Sequence, residues 1–159
     1  MSTSDSKDAV FSAFMREAEP RLSLALGASY GAEVGHEATA EALEYAWENW
    51  ARVRSMDNSL GYLYRVGQSR ARRLRRRDRR LPSLPSPQSD RVPWVEPGLP
   101  AALAGLSKNQ RNAVVLIHGF EWTQEEVADL LGVSRTTVQK HLERGLAKLR
   151  AALGVRADA

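Results

Sequence analysis

The segment that decides the fold is Thr123-Gln-Glu-Glu-Val-Ala-Asp-Leu-Leu-Gly-Val-Ser-Arg-Thr-Thr-Val-Gln-Lys140. Thr123 and Glu126 have the capping-box spacing that opens a helix, which we predict over 125–131. Gly132 stands where a helix end takes up a left-handed residue, and Ser134 is placed to cap the helix that follows. The segment therefore predicts a helix-turn-helix, in which a short helix and a longer one meet at a tight turn.

The sequence around this motif is also helical in pattern. Ser107 and Gln110 form an earlier capping box ahead of an apolar run. After Ser134 the apolar residues recur at helical spacing, at Val138, Leu142, Leu146, Leu149 and Leu153. The longer helix of the motif carries side chains that hydrogen-bond base edges or phosphates, namely Arg135, Thr136, Thr137, Gln139, Lys140 and Arg144. This composition indicates DNA binding.

The N-terminal part contains a predicted helix over 37–53 with two distinct faces. Its apolar residues, among them Trp47 and Trp50, recur every three or four positions and are predicted to lie in a core. The other face carries the acidic stripe, which consists of Glu37, Glu41, Glu44 and Glu48. Carboxylates stacked at this spacing repel one another. Two interpretations stay open: a solvated face, or a docking face for a basic partner.

Charge is distributed unevenly along the chain, whose formal net charge is +4. Residues 1–69 carry a net −4, whereas the arginine block, residues 70–80, contains eight Arg and one Asp. A loop at 54–58 precedes a predicted helix over 59–79 that ends in this block. So many like charges favour a polyanionic partner such as nucleic acid, with a disordered basic tail as the alternative.

Six of the seven prolines lie between Pro82 and Pro100. Because proline disfavours the helical region for the residue before it, we interpret 81–98 as a linker. The predicted fold class is all-α, with two small helical domains, 1–80 and 99–159, joined by this Pro-rich linker. The C-terminal domain contains the helix-turn-helix.

The composition argues against several function classes. The chain has no cysteine, which excludes disulfides and thiolate metal sites and suits a reducing cytoplasm. The three histidines lack metal-ligand spacing, and no nucleophile stands beside a base, so we expect no metal, no cofactor and no enzymatic activity. No apolar run is long enough to span a membrane.

Two stretches together resemble a known protein family. Glu37-Ala-Thr-Ala-Glu-Ala-Leu-Glu-Tyr-Ala-Trp47 and Gly61-Tyr-Leu-Tyr-Arg-Val-Gly-Gln-Ser-Arg-Ala71 are similar to region 2 of extracytoplasmic-function sigma factors. Leu106-Ser-Lys-Asn-Gln-Arg111 and the helix-turn-helix are similar to region 4 of the same proteins. The resemblance implies a subunit of bacterial RNA polymerase that recognises promoters and starts their melting in the cytoplasm.

The resemblance also implies roles for particular residues. The acidic stripe would dock on the clamp helices of the largest subunit of core RNA polymerase. The −10 element of promoter DNA would contact Asp57, Asn58, Tyr62, Arg65, Gln68, Ser69, Arg72 and Arg73. The −35 element would contact Arg135, Thr136, Thr137, Gln139, Lys140, His141 and Arg144.

Two further functions remain open at this point. One is a helix-turn-helix regulator that binds duplex DNA as a dimer without polymerase. The other is a sigma-like adaptor that binds polymerase without reading promoters, which is suggested because Ala40, Ser69 and His141 depart from the usual family pattern. Two small domains on a proline-rich tether are expected to share a modest interface and to sample many orientations. Their exposed DNA-binding faces lead us to expect an anti-sigma factor that masks them.

Overall fold

The computed structural model describes residues 3–78 and 98–154, and all regular secondary structure in these two ranges is helical. The linker prediction falls almost entirely outside the described residues, as do Arg79 and Arg80 of the arginine block. The helices are α1 (Thr3–Tyr30), α2 (Ala32–Glu48), α3 (Trp50–Arg54), α4 (Ser59–Asp78), α5 (Leu99–Ala104), α6 (Lys108–Val114), α7 (Gln124–Leu131) and α8 (Arg135–Leu153). The all-α fold class is therefore confirmed.

The N-terminal half is built on the packing of α1, α2 and α4. Leu22 and Leu26 of α1 and Leu63 of α4 are fully buried between them. Apart from Leu43, the buried residues of α2 are small, namely Gly35, Ala38, Thr39, Ala42 and Ala46. Small residues at helical spacing let two helix backbones approach closely, so this alanine-rich face positions α2 tightly against α1.

The predicted helix over 37–53 differs from the structure in three respects. It begins earlier, at Ala32, and it is interrupted at Asn49, whose side-chain amide donates to the carbonyl of Tyr45 at 3.0 Å. Trp50 is buried as predicted, at 5% exposure. The prediction that Trp47 is a core residue is wrong, since this side chain is 38% exposed on the outer surface of α2.

The C-terminal half folds through the local signals that its sequence contains. The side chains of Ser107 and Thr123 accept hydrogen bonds from Gln110 and Glu126, and both capping boxes are complete. Gly132 ends α7 with a left-handed φ of 69°, and the Ser134 hydroxyl accepts from the amide of Thr137. Because each signal determines only its neighbours, the helix-turn-helix could be predicted from the sequence, and it is confirmed.

One shared core joins the two halves. Leu116, Val127 and Leu130 of the C-terminal half are fully buried in the same cluster as Leu22 and Leu26. This packing differs from the modest interface that the Pro-rich tether led us to expect. Periodicity predicts that the apolar residues of α7 and of the segment after α6 are buried. It does not predict which helix they pack against.

A buried polar triangle lies within this interface, formed by Ser29 of α1, Tyr64 of α4 and Asn112 of α6. The Ser29 hydroxyl donates to Asn112 Oδ1 at 2.8 Å, and the Asn112 amide donates to the Tyr64 hydroxyl. Ser29 Oγ and Tyr64 Oη lie 3.3 Å apart. Burial raises the pKa of the Tyr64 phenol, although its bonds to Ser29 and Asn112 oppose that shift. The three side chains therefore satisfy one another where water is excluded.

We expect Gly35→Ala to destabilise the protein by about 1–3 kcal/mol, because the crossing of α1 and α2 is overpacked by one methyl group. A β-carbon at Gly35 would lie 2.6 Å from the α-carbon of Gly27. Gly27→Ala is the matched control, since its β-carbon would lie 3.9 Å from the nearest atom, the α-carbon of Ala32. The control should be neutral or stabilising by up to about 1 kcal/mol. Urea unfolding measures both, and equal effects would contradict the close crossing.

We expect Asn112→Ala to lower the free energy of unfolding by about 2 kcal/mol, because it deprives two buried hydroxyls of a partner. Asn109→Ala, one turn away on α6, is the control and should change stability by less than about 0.5 kcal/mol. Urea unfolding midpoints of both variants give the comparison. A loss of the same size in both would mean that the polar triangle contributes nothing specific.

Candidate nucleic-acid interface

The side chains of α4 divide into three faces. One face is buried and consists of Leu63, Tyr64, Gly67, Ala71 and Leu74. A second face contains Arg65, whose guanidinium lies beside Gly132 at the end of α7, and Gln68 is half-buried three residues further along α4. The third face opens to solvent beside α2. This division follows from residues three and four apart sharing a helix face, and it separates the predicted −10 residues into two groups.

The solvent-open face of α4 forms one wall of a cleft with a volume of ≈ 400 Å³. Tyr45 of α2 contributes the other wall. The tyrosine cleft is lined by Tyr45, Tyr62, Val66, Ser69, Arg70, Arg73 and Arg76. Of the predicted −10 residues, Tyr62, Ser69 and Arg73 are brought together here. The sequence analysis missed Tyr45, Arg70 and Arg76 as members of one site, because they meet only when α2 packs on α4.

The two tyrosines of the cleft are in direct contact. Their hydroxyl oxygens lie 2.9 Å apart, and their ring centroids lie 6.2 Å apart at an angle of 45°. The hydrogen bond with Tyr62 raises the pKa of Tyr45, so the Tyr45 phenol stays protonated at neutral pH. The guanidinium of Arg52 lies 5.7 Å from the centroid of the Tyr62 ring. The cleft thus combines aromatic surfaces with cations, the combination that binds single-stranded nucleic acid.

The other predicted −10 residues lie at or near the contact with α7. Asp57 is exposed in the loop before α4, whereas the Asn58 amide donates to the carbonyl of Asp129 at 2.6 Å. Asn58 Oδ1 also accepts from the Gly61 amide and so caps α4. A Gly132 β-carbon would lie 3.1 Å from Arg65 Nη1, which places that guanidinium beside the turn of the helix-turn-helix. Arg72 follows Arg65 along the same face and is exposed.

Helix α8, the longer helix of the helix-turn-helix, exposes polar side chains along its N-terminal half. Arg135, Thr136, Lys140 and Arg144 are exposed, and His141 is half-buried. The Thr137 hydroxyl lies 2.9 Å from that of Ser134, so it takes part in the helix cap. Arg144 lies nine residues beyond Arg135, which is about 13.5 Å along the helix axis. Four exposed donors on one helix end give a surface that fits the major groove.

Gln139 is held by a network of side chains on the same surface. It accepts from the Gln124 amide of α7 and donates to Glu143 Oε1 at 2.9 Å. Glu143 is exposed, and a carboxylate at this position can accept from the amino group of cytosine. The sequence analysis did not select Glu143 or Gln124. The signal for Glu143 was its spacing of four residues from Gln139.

The acidic stripe lies on α2 beside the arginines of α4. Glu37, Glu44 and Glu48 are exposed, whereas Glu41 is half-buried with its Oε2 3.8 Å from Arg73 Nη2. Glu41 Oε2 has no hydrogen-bond partner among the described residues. The stripe is therefore partly balanced by cations from another helix, a pairing that spacing within α2 did not reveal.

An apolar groove of ≈ 420 Å³ lies between α1 and α2, next to Glu44 of the acidic stripe. Its wall includes Trp47 and Met15, each 38% exposed, above the buried Phe11. The edge of the Phe11 ring meets Trp47 at a centroid distance of 5.0 Å. Exposed apolar side chains bordered by carboxylates are typical of a protein-binding surface.

Polar contacts, including one ion pair, also join the C-terminal half to α1. Arg21 Nη2 lies 2.9 Å from Glu126 Oε2, and its guanidinium lies 5.5 Å from the centroid of the Trp122 ring. Hydrogen bonds from Thr123 and the charge of Arg21 lower the pKa of Glu126. Arg111 donates to the carbonyls of Ser29, Leu103 and Leu106. The contacts of Arg21 and the bond from Arg111 to Ser29 therefore join the C-terminal half to α1.

Within residues 3–78 and 98–154, no group of three or more histidine or acidic side chains is placed to hold a metal ion. None of the helices in the same ranges is long and apolar enough to cross a membrane.

Comparisons with known proteins give one matching family model and a similar solved structure. Residues 98–149, which contain α5 to most of α8, match the family model for sigma-70, region 4. A search of curated protein sequences gave no significant match. Among solved structures, the chain is similar to the sigma factor RpoE in complex with the anti-sigma factor NepR from Bartonella quintana. The TM-score is 0.63 at 20% identity, over 91% of this chain and 97% of that chain.

The family match covers the helix-turn-helix with its caps and the exposed end of α8. The structural match extends over α1 to α4 as well. Residues 98–149 therefore match the sigma-70 region 4 family model, and the chain has the fold of a sigma factor, which confirms the resemblance to extracytoplasmic-function sigma factors.

Proposed function

We propose that this protein is an alternative sigma factor that binds core RNA polymerase, recognises −10 and −35 promoter elements and starts DNA melting. The observation that carries the proposal is the presence in one chain of a region 4 helix-turn-helix and the cationic tyrosine cleft on α4. The helix-turn-helix can recognise duplex DNA in the major groove. The tyrosine cleft can bind an open DNA strand. The proposed function is binding rather than catalysis. Its proposed location is the bacterial cytoplasm, which contains RNA polymerase and promoter DNA.

Two features of α2 support docking on polymerase. The acidic stripe offers three exposed carboxylates to a basic surface, and the apolar groove beside it offers Trp47 and Met15. Charge complementarity at the rim and an apolar centre are the usual composition of a protein interface. We assign this surface to the clamp helices of the largest polymerase subunit.

Promoter geometry requires the two halves to separate during this function. The Asn58 amide lies 2.6 Å from the Asp129 carbonyl, whereas elements about 25 base pairs apart are about 85 Å apart at 3.4 Å per pair. A linker of 18 residues spans at most roughly 60 Å, and two domains with radii of about 10–13 Å cover the remainder. The packed arrangement therefore corresponds to a form that is not bound to a promoter.

An anti-sigma factor is the partner that we propose for the packed form. The structurally similar RpoE was solved with the anti-sigma factor NepR, and 91% of this chain matches that fold. An inhibitor that binds both halves would compete with core polymerase for the surface of α2.

Run-off transcription tests the proposed function. Purified core polymerase, with and without the full-length protein, is given a library of genomic promoter fragments. We expect defined transcripts only when the protein is present. Binding to paired inverted half-sites without any transcript would indicate a helix-turn-helix regulator instead. Polymerase association without promoter opening would indicate an adaptor.

We expect Glu44→Lys with Glu48→Lys to weaken binding to core polymerase at least tenfold, because both carboxylates are exposed beside the apolar groove. Glu41 is left unchanged, since its reversal would also disturb Arg73. The control is Asp8→Lys with Glu17→Lys, the same charge change at exposed positions of α1. Fluorescence anisotropy measures affinity. If both double variants weaken binding equally, the effect results from the change in net charge and not from the position of the carboxylates.

We expect Arg135→Ala to cost about 1–3 kcal/mol in −35 binding, concentrated at particular base pairs. Gln139→Ala should show the same pattern and also release Gln124 and Glu143. Arg150→Ala, exposed near the C-terminal end of α8, is the control and should have little base-specific effect. A set of duplexes with single substitutions in the −35 element provides the measurement. Uniform losses across the set would mean that these side chains contact only phosphate.

A further inference from the structure

Three basic side chains meet at the C-terminal end of α1, where the two halves of the protein pack together. The guanidinium of Arg75 in α4 lies 5.3 Å from the centroid of the Tyr30 ring, and the Lys108 ammonium of α6 donates to the Tyr30 hydroxyl at 3.3 Å. Arg111, also in α6, donates to the carbonyl of Ser29 at 3.0 Å. Both halves thus contribute cations to one turn of α1. We call these three residues, Arg75, Lys108 and Arg111, the junction cluster.

The positive charge of the junction cluster exceeds the negative charge around it. The C-terminal end of α1 supplies only about half an elementary negative charge, which leaves an excess of roughly two positive charges. In the part of the chain that the structure describes, the ion pairs join Arg21 to Glu126 and Arg73 to Glu41, and no carboxylate pairs with the cluster. Like charges gathered in this way repel one another, and a bound anion would relieve that repulsion.

The three cations differ in the hydrogen bonds that they can offer an anion. Arg111 donates to three backbone carbonyls, so it contributes mainly its charge. Arg75 is exposed, and its guanidinium makes no hydrogen bond to another described residue, so its planar fork is available for a phosphate. The Lys108 ammonium has three protons and uses one of them for Tyr30. Direct contacts to an anion would therefore come from Arg75 and Lys108.

The extent of this cationic surface indicates an anion with more than one phosphate. The Arg75 guanidinium and the Lys108 ammonium lie 5.3 Å and 5.7 Å from the centroid of the same Tyr30 ring, so a short chain of phosphates can contact both. Arg72, one turn before Arg75 on α4, is also exposed and extends the surface. A single phosphate ester carries about −1.5 to −2 charges, fewer than these cations can balance.

We propose that the junction cluster binds a polyphosphate, either an inorganic chain or the phosphates of a nucleotide, and that the bound anion holds the two halves together. Arg75 belongs to the N-terminal half and Lys108 to the C-terminal half, so both contact one anion only in the packed form. A ligand that binds one state more tightly shifts the equilibrium towards that state. Binding of the anion does not depend on the proposed function. Its consequence, that the anion opposes promoter binding, rests on that function.

Isothermal titration calorimetry of the full-length protein in magnesium-free buffer tests the site. The probes are sodium tripolyphosphate, ATP and, at matched ionic strength, sulfate. Tripolyphosphate and ATP are expected to bind, and sulfate is not. Affinity for tripolyphosphate that equals or exceeds affinity for ATP would identify the ligand as an inorganic chain, whereas tighter binding of ATP would identify it as a nucleotide.

Arg75→Ala and Lys108→Gln are each expected to weaken tripolyphosphate binding about tenfold, because each removes a hydrogen bond from a charged donor. The glutamine can still donate to the Tyr30 hydroxyl, so this variant separates the loss of charge from a loss of packing. Arg77→Ala and Arg150→Ala are the controls, since each removes one exposed positive charge, from α4 and from α8. Both controls should stay within about twofold of wild type, because exposed charges outside the site are screened.

Energy transfer between two fluorophores measures the effect of the anion on packing. The chain contains no cysteine, so Ala51→Cys in α3 and Ala147→Cys in α8 provide one exposed labelling site in each half. Tripolyphosphate is expected to raise the urea concentration at which transfer falls. The same labelled protein with Lys108→Gln should lose most of this increase.

Absence of tripolyphosphate binding would overturn the inference, and so would losses in the two controls as large as those in Arg75→Ala and Lys108→Gln. Binding that leaves the urea midpoint unchanged would also overturn it. Each of these results leaves the proposed function standing, because transcription by core polymerase does not require the junction cluster to bind an anion. Tripolyphosphate binding in a protein that directs no transcripts would instead contradict the proposed function and support the anion site.

Discussion

The structure depends on a buried polar triangle. Ser29, Tyr64 and Asn112 come from α1, α4 and α6, and each satisfies the others with water excluded. Buried polar groups cost free energy unless they are paired, so a slipped or rotated packing of these helices would leave at least one of them unpaired. Apolar contacts around the triangle tolerate such a slip more readily. The triangle therefore determines which of many compact packings of the two halves the chain adopts.

This packing covers part of one proposed DNA-binding surface and leaves the other open. The loop before α4 lies against α7, where Asn58 is engaged by Asp129 and Arg65 lies beside Gly132. The exposed end of α8 and the tyrosine cleft both remain open to solvent. The packed form thus covers only part of the proposed −10 site. The proposed −10 role of Asn58 therefore requires that its contact with Asp129 is replaced by a contact with DNA.

Local signals explain why much of the C-terminal half could be predicted from the sequence. A capping box such as Thr123 with Glu126, or a left-handed glycine such as Gly132, acts on residues within one turn. Non-local contacts explain what was missed. Nothing within α2 shows that Tyr45 faces Tyr62, or that Glu41 faces Arg73, because these pairs form only across a helix crossing. Trp47 was misassigned for the same reason, since its side chain covers Phe11 from outside the core.

The cost of separating the halves decides what can open the protein. Separation breaks the polar triangle, the Arg21–Glu126 ion pair and the bond from Arg111 to the Ser29 carbonyl, and it exposes Leu116, Val127 and Leu130. Full exposure of one such apolar side chain costs about 1.5–3 kcal/mol, so three of them cost several kcal/mol before any polar contact is counted. Thermal motion alone leaves that state sparsely populated. A partner drives the opening only to the extent that it binds the separated halves more tightly than the packed ones. In the function that we propose, promoter DNA on core polymerase fulfils this condition, because the −10 and −35 elements lie about 85 Å apart, a distance that the packed form cannot span.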